Sequence, residues 1–287
     1  MIKTNCIIFV LFAVIFLTMF SSSSYSQDES ESSNRTSIAT LSGPESGSTT
    51  LIDMVGDIDC SNNLHEQIKK DNPTYFIGLG DLCYEPDLTN FKNTYGDFEK
   101  DQELGCLIGN HDSEEDGNPK IFKEAQAFCK DHWSLKVAKG TTLLLDLDSN
   151  GDINEQTNWA ESLVTNPSQM NGVKNVIILS HKPAHTPTNS HHPVELPILK
   201  MFTAIESKIG NGVNVYEVSG HNHFMAESKD GKWFVSGAGG RSHYEGEADS
   251  IWTFFNNKDY GYLQFKIDNS NGEITSNFFG LDGTLIH

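Results

Sequence analysis

Tyr75-Phe76-Ile77-Gly78-Leu79-Gly80-Asp81-Leu82-Cys83-Tyr84 starts as an apolar run and breaks at a Gly-Asp pair followed by a tyrosine. The run is short, aromatic and aliphatic, and Pro73 bounds it upstream, so it reads as a buried β-strand. The Gly-Asp pair alone would be an ordinary turn. The fold is decided by recurrence. Val55 leads into Gly56-Asp57-Ile58-Asp59, Ile108 into Gly109-Asn110-His111-Asp112, Leu179 into Ser180-His181, and Val218 into Ser219-Gly220-His221-Asn222-His223. Five apolar runs each end in a polar cluster rich in metal-binding side chains.

Working outward, strands are expected at 50–55, 75–79, 106–108, 142–147, 176–179, 213–218, 233–236 and 262–267. Helices are expected at 64–71, 120–130, 155–165 and 197–209. Strands alternating with helices predict an α/β fold, its sheet covered on both faces. Residues 49–287 contain no second linker and read as one domain. In open α/β sheets, ligand sites form beyond the carboxyl ends of the strands, so five clusters at five such ends are expected to converge.

The amino-terminal segment reads differently. Residues 1–26 run from a positive start at Lys3 through an apolar stretch to small polar residues, the order of an export signal. The apolar stretch is short for a bilayer span, which needs about 20 residues. The protein is therefore expected to be secreted or extracytoplasmic, tethered only if this segment stays uncleaved. Residues 27–48 are Ser/Glu-rich and read as a disordered linker.

The chain has 287 residues, 20 Lys+Arg against 39 Asp+Glu, and a formal charge of −19. Nucleic-acid binding needs a basic patch that releases counterions, so no nucleic-acid partner is expected. At 37% hydrophobic residues the chain can still bury a core. Outside the signal lie Cys60, Cys83, Cys106 and Cys129. An even number in an exported chain permits disulfides in any of three pairings, and the absence of a CxxC pair argues against a thiolate zinc site.

The ordered motifs GD-x-D, GD-x-x-Y, GNHD, H and GHxH resemble those of the calcineurin-like metallophosphoesterase superfamily. Tyr84 narrows the resemblance to the purple acid phosphatase branch in its compact form, and Ser236-Gly237-Ala238-Gly239-Gly240 resembles a stretch of that branch. The resemblance implies two packed mixed β-sheets flanked by helices, a four-layer α/β/β/α sandwich. It implies two divalent or trivalent metal ions, Fe paired with Fe, Zn or Mn. Asp57, Asp81, Tyr84 and His223 would hold the first. Asp81, Asn110, His181 and His221 would hold the second, with Asp81 bridging. Carboxylate, amide and phenolate oxygens with imidazoles suit such metals.

The implied reaction is hydrolysis of a small phosphate monoester by metal-bound hydroxide, as in an acid phosphatase. His111 is the candidate general acid, with Asp112 orienting it, and His191 and His192 are candidates for substrate binding or proton donation. His185 is a weaker one. The alternatives are a phosphodiesterase on nucleotides or lipid head groups, and a non-catalytic extracellular binding protein on the same fold. Specificity is expected to lie in loops at 86–102 and 186–197. Asp59 departs from the branch, which usually has glycine there, and is open between an extra ligand and a supporting carboxylate. The acidic stretch Asp146–Asp152 imitates a calcium loop, but Thr157 occupies the twelfth position where such a loop needs glutamate.

Overall fold

The computed structural model describes residues 47–85, 87–100, 103–113 and 119–287. The expected signal and nearly all of the linker lie outside them. In chain order the described elements are β1 (Thr49–Val55), α1 (Leu64–Asp71), β2 (Tyr75–Gly78), α2 (Thr89–Lys100), β3 (Leu104–Cys106), α3 (Pro119–Cys129), β4 (His132–Val137) and β5 (Thr142–Leu147). They continue with α4 (Ile153–Val164), α5 (Pro167–Met170), β6 (Asn175–Ser180), α6 (Leu196–Glu206), β7 (Asn214–Ser219) and β8 (Met225–Ser228). The last four are β9 (Trp233–Ser236), β10 (Trp252–Asn256), β11 (Gly261–Asp268) and β12 (Ile274–Gly280).

The strands form two mixed sheets, ordered β12-β11-β1-β2-β3 and β10-β8-β9-β7-β6-β5-β4. Within the first, β1, β2 and β3 run parallel. Within the second, β5, β6 and β7 run parallel. Each parallel set sends its carboxyl ends to one edge, and those edges carry the polar clusters.

The core has three apolar layers. Met54, Ile77, Leu79, Trp133, Leu144, Ile177 and Phe265 pack between the sheets. Ile68, Phe76, Phe91, Tyr95 and Ile121 pack the outer face of the five-stranded sheet against α1, α2 and α3. Leu145, Ile178, Ala160 and Phe202 join the seven-stranded sheet to α4 and α6. The architecture is therefore the four-layer α/β/β/α sandwich that the resemblance implies.

Helix α2 corrects the expectation of a loop at 86–102. Its polar residues are poor helix formers, but Phe91, Tyr95 and Phe98 fall on one face and are buried. The Tyr95 ring stacks on Phe76 at 4.9 Å. Each such aromatic stabilises the fold by about 2–3 kcal/mol, enough to override propensity. β3 also starts earlier than expected and ends at Cys106, so the Leu107-Ile108 pair lies beyond the strand. The unanticipated β4 alternates polar and apolar residues and β8, β10 and β12 mix them without a regular period, whereas the central parallel strands are mostly apolar runs.

The Asp146–Asp152 stretch is a strand end, a turn and a helix start. The Asp152 side chain caps α4 by accepting the N–H of Asn154 at 2.9 Å and of Glu155 at 3.0 Å. The Gln156 amide closes the turn by bonding both the N–H and the C=O of Asp148. Two disulfides, Cys60–Cys83 and Cys106–Cys129, each bridge 23 positions, with Cα atoms 5.2 and 5.0 Å apart.

Candidate metal centre

The five clusters meet where the carboxyl edges of the two sheets face each other. Asp57, after β1, and Tyr84, after β2, come from the five-stranded sheet, and His223, after β7, comes from the other. The Tyr84 hydroxyl donates to Asp57 Oδ1 at 2.9 Å and lies 3.0 Å from His223 Nε2. His223 Nε2 is 3.2 Å from Asp57 Oδ1. These atoms form a nearly equilateral triangle. Donors about 2.1 Å from one ion and at right angles to each other stand about 3 Å apart, so the triangle fits one face of a coordination shell.

A second group adjoins it. His181 Nε2 lies 3.0 Å from Asn110 Oδ1, 3.2 Å from His221 Nδ1 and 3.4 Å from Asp81 Oδ1. Ligand atoms of Asp57, Asp81 and His181 all fall within 4.8 Å of one another, and all three residues are buried. The structure thus brings all seven predicted metal residues together, with Asp81 between the two groups.

Proton bookkeeping says what the groups want. His181 Nδ1 donates to the Leu79 carbonyl at 2.8 Å, and His223 Nδ1 donates to the Ser242 carbonyl at 2.8 Å. In the neutral ring each bond fixes the tautomer and puts the lone pair on Nε2. The His181 lone pair faces two oxygen acceptors. Acceptors converging on acceptors in a buried space are costly unless a cation sits among them. Imidazoles whose far nitrogen donates to a carbonyl are also the usual form of metal-ligating histidine.

Electrostatics agree. Burial pushes the Asp81 carboxyl up to about 7, with the Asp57 charge adding to the effect. Burial and then Asp57 raise the Tyr84 phenol far above its ordinary range. Burial and the neighbouring His181 lower His221, which keeps its imidazole neutral and able to ligate. His223 is raised although burial opposes this, because its hydrogen bond and charge interaction with Asp57 prevail. The anions are crowded against each other, and a bound cation would relieve them.

The loops are strained to make this possible. Asp57, Asp81, Tyr84 and His221 all have positive φ, at 58°, 54°, 52° and 68°. Such conformations persist only where surrounding contacts over-determine them. At Gly109 a Cβ would overlap the Asp81 carboxylate, so only glycine lets the third loop approach. The backbone N–H of His221 donates to Asp57 Oδ2 at 2.7 Å, tying the fifth loop to the first.

The other candidates fall around this cluster. His111 is exposed, with Nε2 3.9 Å from Asp81 Oδ2 and its ring 4.8 Å from that of Tyr84. Asp112 is fully buried and accepts the N–H of Leu82 at 3.1 Å and of Gly109 at 3.0 Å. Those bonds brace the two metal loops, so its carboxylate is directed to backbone and not to orienting His111. Burial and then Asp81 push it up to about 7. The His192 ring stacks on His221 at 4.0 Å, and His191 lies 4.2 Å from Tyr244. Burial and then His191 lower His192 to about 4. The Asp59 carboxylate closes a turn on Ser61, accepting its N–H and its hydroxyl. His185 is paired with Glu217 at 2.6 Å and stacks on Trp233.

Sequence reading missed Tyr244 and Arg241. Tyr244 stacks on His223 at 3.9 Å, and the Arg241 guanidinium lies 4.1 Å from the centre of the Tyr84 ring. The signal available was position, since both closely follow the Gly-rich stretch that ends at Gly240.

No known family pattern matches the sequence, and no curated protein is detectably similar to it. Solved structures are similar in fold. A purple acid phosphatase from yellow lupin (Lupinus luteus) seeds superposes with a TM-score of 0.62 at 15% identity, covering 83% of this chain and 53% of that one. The chain thus spans about half the length of the lupin protein. GAP50, described as the anchor in the inner membrane complex of Plasmodium, superposes with a TM-score of 0.62 at 16% identity, covering 84% of this chain and 88% of that one. The chain shares the fold of these two proteins.

Proposed function

We propose that this protein is an exported two-metal phosphoesterase that hydrolyses small phosphate monoesters in the manner of an acid phosphatase. The observation that carries the reading is the convergence of two groups of ligand atoms on either side of Asp81, with Asp57, Asp81 and His181 buried among them. Asp57, Asp81, Tyr84 and His223 would hold one ion, and Asp81, Asn110, His181 and His221 the other. Oxygen donors with imidazoles suit iron, alone or with zinc or manganese. When bound, the ions would supply positive charge for the phosphoryl oxygens and acidify a water.

The remaining residues have separate tasks. His111 is exposed at the rim beside Asp81, where it can give a proton to the departing oxygen. His191 and His192 line another side of the site and offer N–H donors to phosphoryl oxygens. Asp112 holds the loops of Asp81 and Asn110 in register. Export is supported by the leader-like residues 1–26 and by the two disulfides, which persist in oxidising compartments.

An anchoring role, the one named for the Plasmodium neighbour, would not need seven convergent ligands. The test is metal analysis of the purified protein beside a panel of monoesters and diesters. Near two equivalents of metal and a monoester preference are expected. Full activity with one equivalent or none would overturn the two-metal reading, and a preference for diesters would overturn the substrate class.

A further inference from the structure

The chain has two arginines, Arg35 and Arg241. Arg241 is held at the centre described above. Its guanidinium sits 4.1 Å from the centre of the Tyr84 ring, a cation–π distance. The backbone on each side of it is pinned to a metal loop. Gly240 forms a β-bridge with Ile58, and the Gly239 carbonyl accepts the N–H of Asp59 at 3.1 Å and the side chain of Asn62 at 2.8 Å. On the other side, the Ser242 carbonyl accepts His223 Nδ1–H. Gly240 has φ of 132°, and a Cβ there would overlap the Asn62 side chain, so the seat of Arg241 depends on glycine.

Arg241 is exposed and has no carboxylate partner among the described residues, in a chain with 39 acidic residues. Its fork is therefore available, and it matches a carboxylate or phosphate in two parallel hydrogen bonds. The direction of the substrate follows from burial. The buried donor groups take the phosphoryl end, so the rest of the ester must extend toward solvent. His111 and Arg241 both pack on the Tyr84 ring and both are exposed, so they flank that exit.

We propose that Arg241 determines specificity by binding a second anionic group, a phosphate or a carboxylate, on the leaving portion of the substrate. The inference rests on the phosphoesterase reading and names its substrate class: small phosphoesters or phosphoanhydrides that carry a further anion near the scissile bond. The acidic surface excludes large polyanions, and this one arginine admits a short one.

Binding to the metal-loaded protein tests it without turnover. Methylenediphosphonate and phosphonoacetate carry a second phosphonate or a carboxylate, and methylphosphonate carries neither. By calorimetry, Arg241→Ala should weaken the two-anion ligands by about 10-fold more than methylphosphonate, the scale of one charge-assisted hydrogen bond at an open site. Arg241→Lys should recover part of the loss. The ratio of kcat/KM for phosphoenolpyruvate over p-nitrophenyl phosphate should fall in Arg241→Ala by a similar factor, mostly through KM. An equal loss for all three ligands would place the guanidinium on the phosphoryl group and overturn the proposal. No loss for any would overturn it outright. Selective binding loss in a protein that hydrolyses no ester would sink the phosphoesterase reading while leaving the Arg241 contact in place.

Discussion

The Tyr84 hydroxyl lies 3.0 Å from His223 Nε2, although 139 positions separate them. Tyr84 follows a strand of one sheet and His223 a strand of the other. The centre is therefore built across the seam of the sandwich, and the core between the sheets sets the spacing of its ligands. Packing and chemistry are linked at this point, because a shift of one sheet against the other would open the triangle of Asp57, Tyr84 and His223.

Tyr84→Phe removes one oxygen and leaves the ring that Arg241 and His111 pack on. Metal content is expected to fall toward one equivalent, and any visible absorption of an iron-loaded protein is expected to bleach. Metal analysis with absorption spectroscopy decides. A variant that keeps its colour and both metals would remove Tyr84 from the ligand set.

Asn110→Ala and His221→Ala each take a donor from the group around His181. Loss of the second metal should lower hydrolysis by about 10³-fold, because the transition-state charge it offsets is worth several kcal/mol. Parallel titration of metal and activity is the measurement. Near-normal turnover with one metal bound would show that the second group is structural.

Much of this centre was legible because its ligands follow apolar runs. Asp57, Asp81, Asn110, His181 and His221 each sit just past such a run, and a parallel strand buried on both faces announces itself in sequence. Arg241 and Tyr244 follow a glycine-rich loop, where no periodicity marks the direction of a side chain. Asp112 was visible as a polar residue next to His111, but only the fold shows that it accepts the N–H groups of Leu82 and Gly109. Helix α2 was hidden because its polar residues favour turns, and the burial that stabilises it is tertiary. The edge strands β10 and β12 were hidden because neither a period of two nor a continuous apolar run marks Trp252–Asn256 or Ile274–Gly280.

His111→Ala should slow esters with poor leaving groups by about 10²–10⁴-fold, the usual contribution of a general acid. Esters of good leaving groups, which depart without a proton, should lose far less. The slope of log kcat against leaving-group pKa is the readout. Equal losses across the series would assign His111 to binding.

The Cys60–Cys83 disulfide joins the loop of Asp57 to that of Asp81 and Tyr84. Cys83 and Tyr84 both lie at positive φ, 74° and 52°. Replacing both cysteines with serine should cost about 3 kcal/mol through the restored freedom of the unfolded chain. It should also weaken metal binding, because the strained loop loses a restraint. Melting with and without metal separates the two effects: a larger loss of stability in the metal-loaded protein is expected. Identical losses would confine the disulfide to global stability.

Asp53 gives a pH test away from the metal residues. It is fully buried in β1, and Gln264 donates to its Oδ1 at 2.8 Å. Burial pushes its carboxyl up to about 8, against the Gln264 bond, and Asp71 adds to the rise. Tyr262, which donates to Asp71, faces it from β11. In the unfolded chain the same carboxyl ionises near pH 4. Between about pH 4 and pH 8 the folded chain keeps a proton that the unfolded chain has released, so this residue lowers stability as pH rises through that window. Asp53→Asn keeps an acceptor for Gln264 and cannot ionise. Its stability relative to the parent should be near zero at pH 4 and should grow to roughly 2–5 kcal/mol in favour of the variant by pH 8.5. Denaturant midpoints at several pH values measure the difference. A constant difference across the range would mean that Asp53 does not hold its proton in the fold.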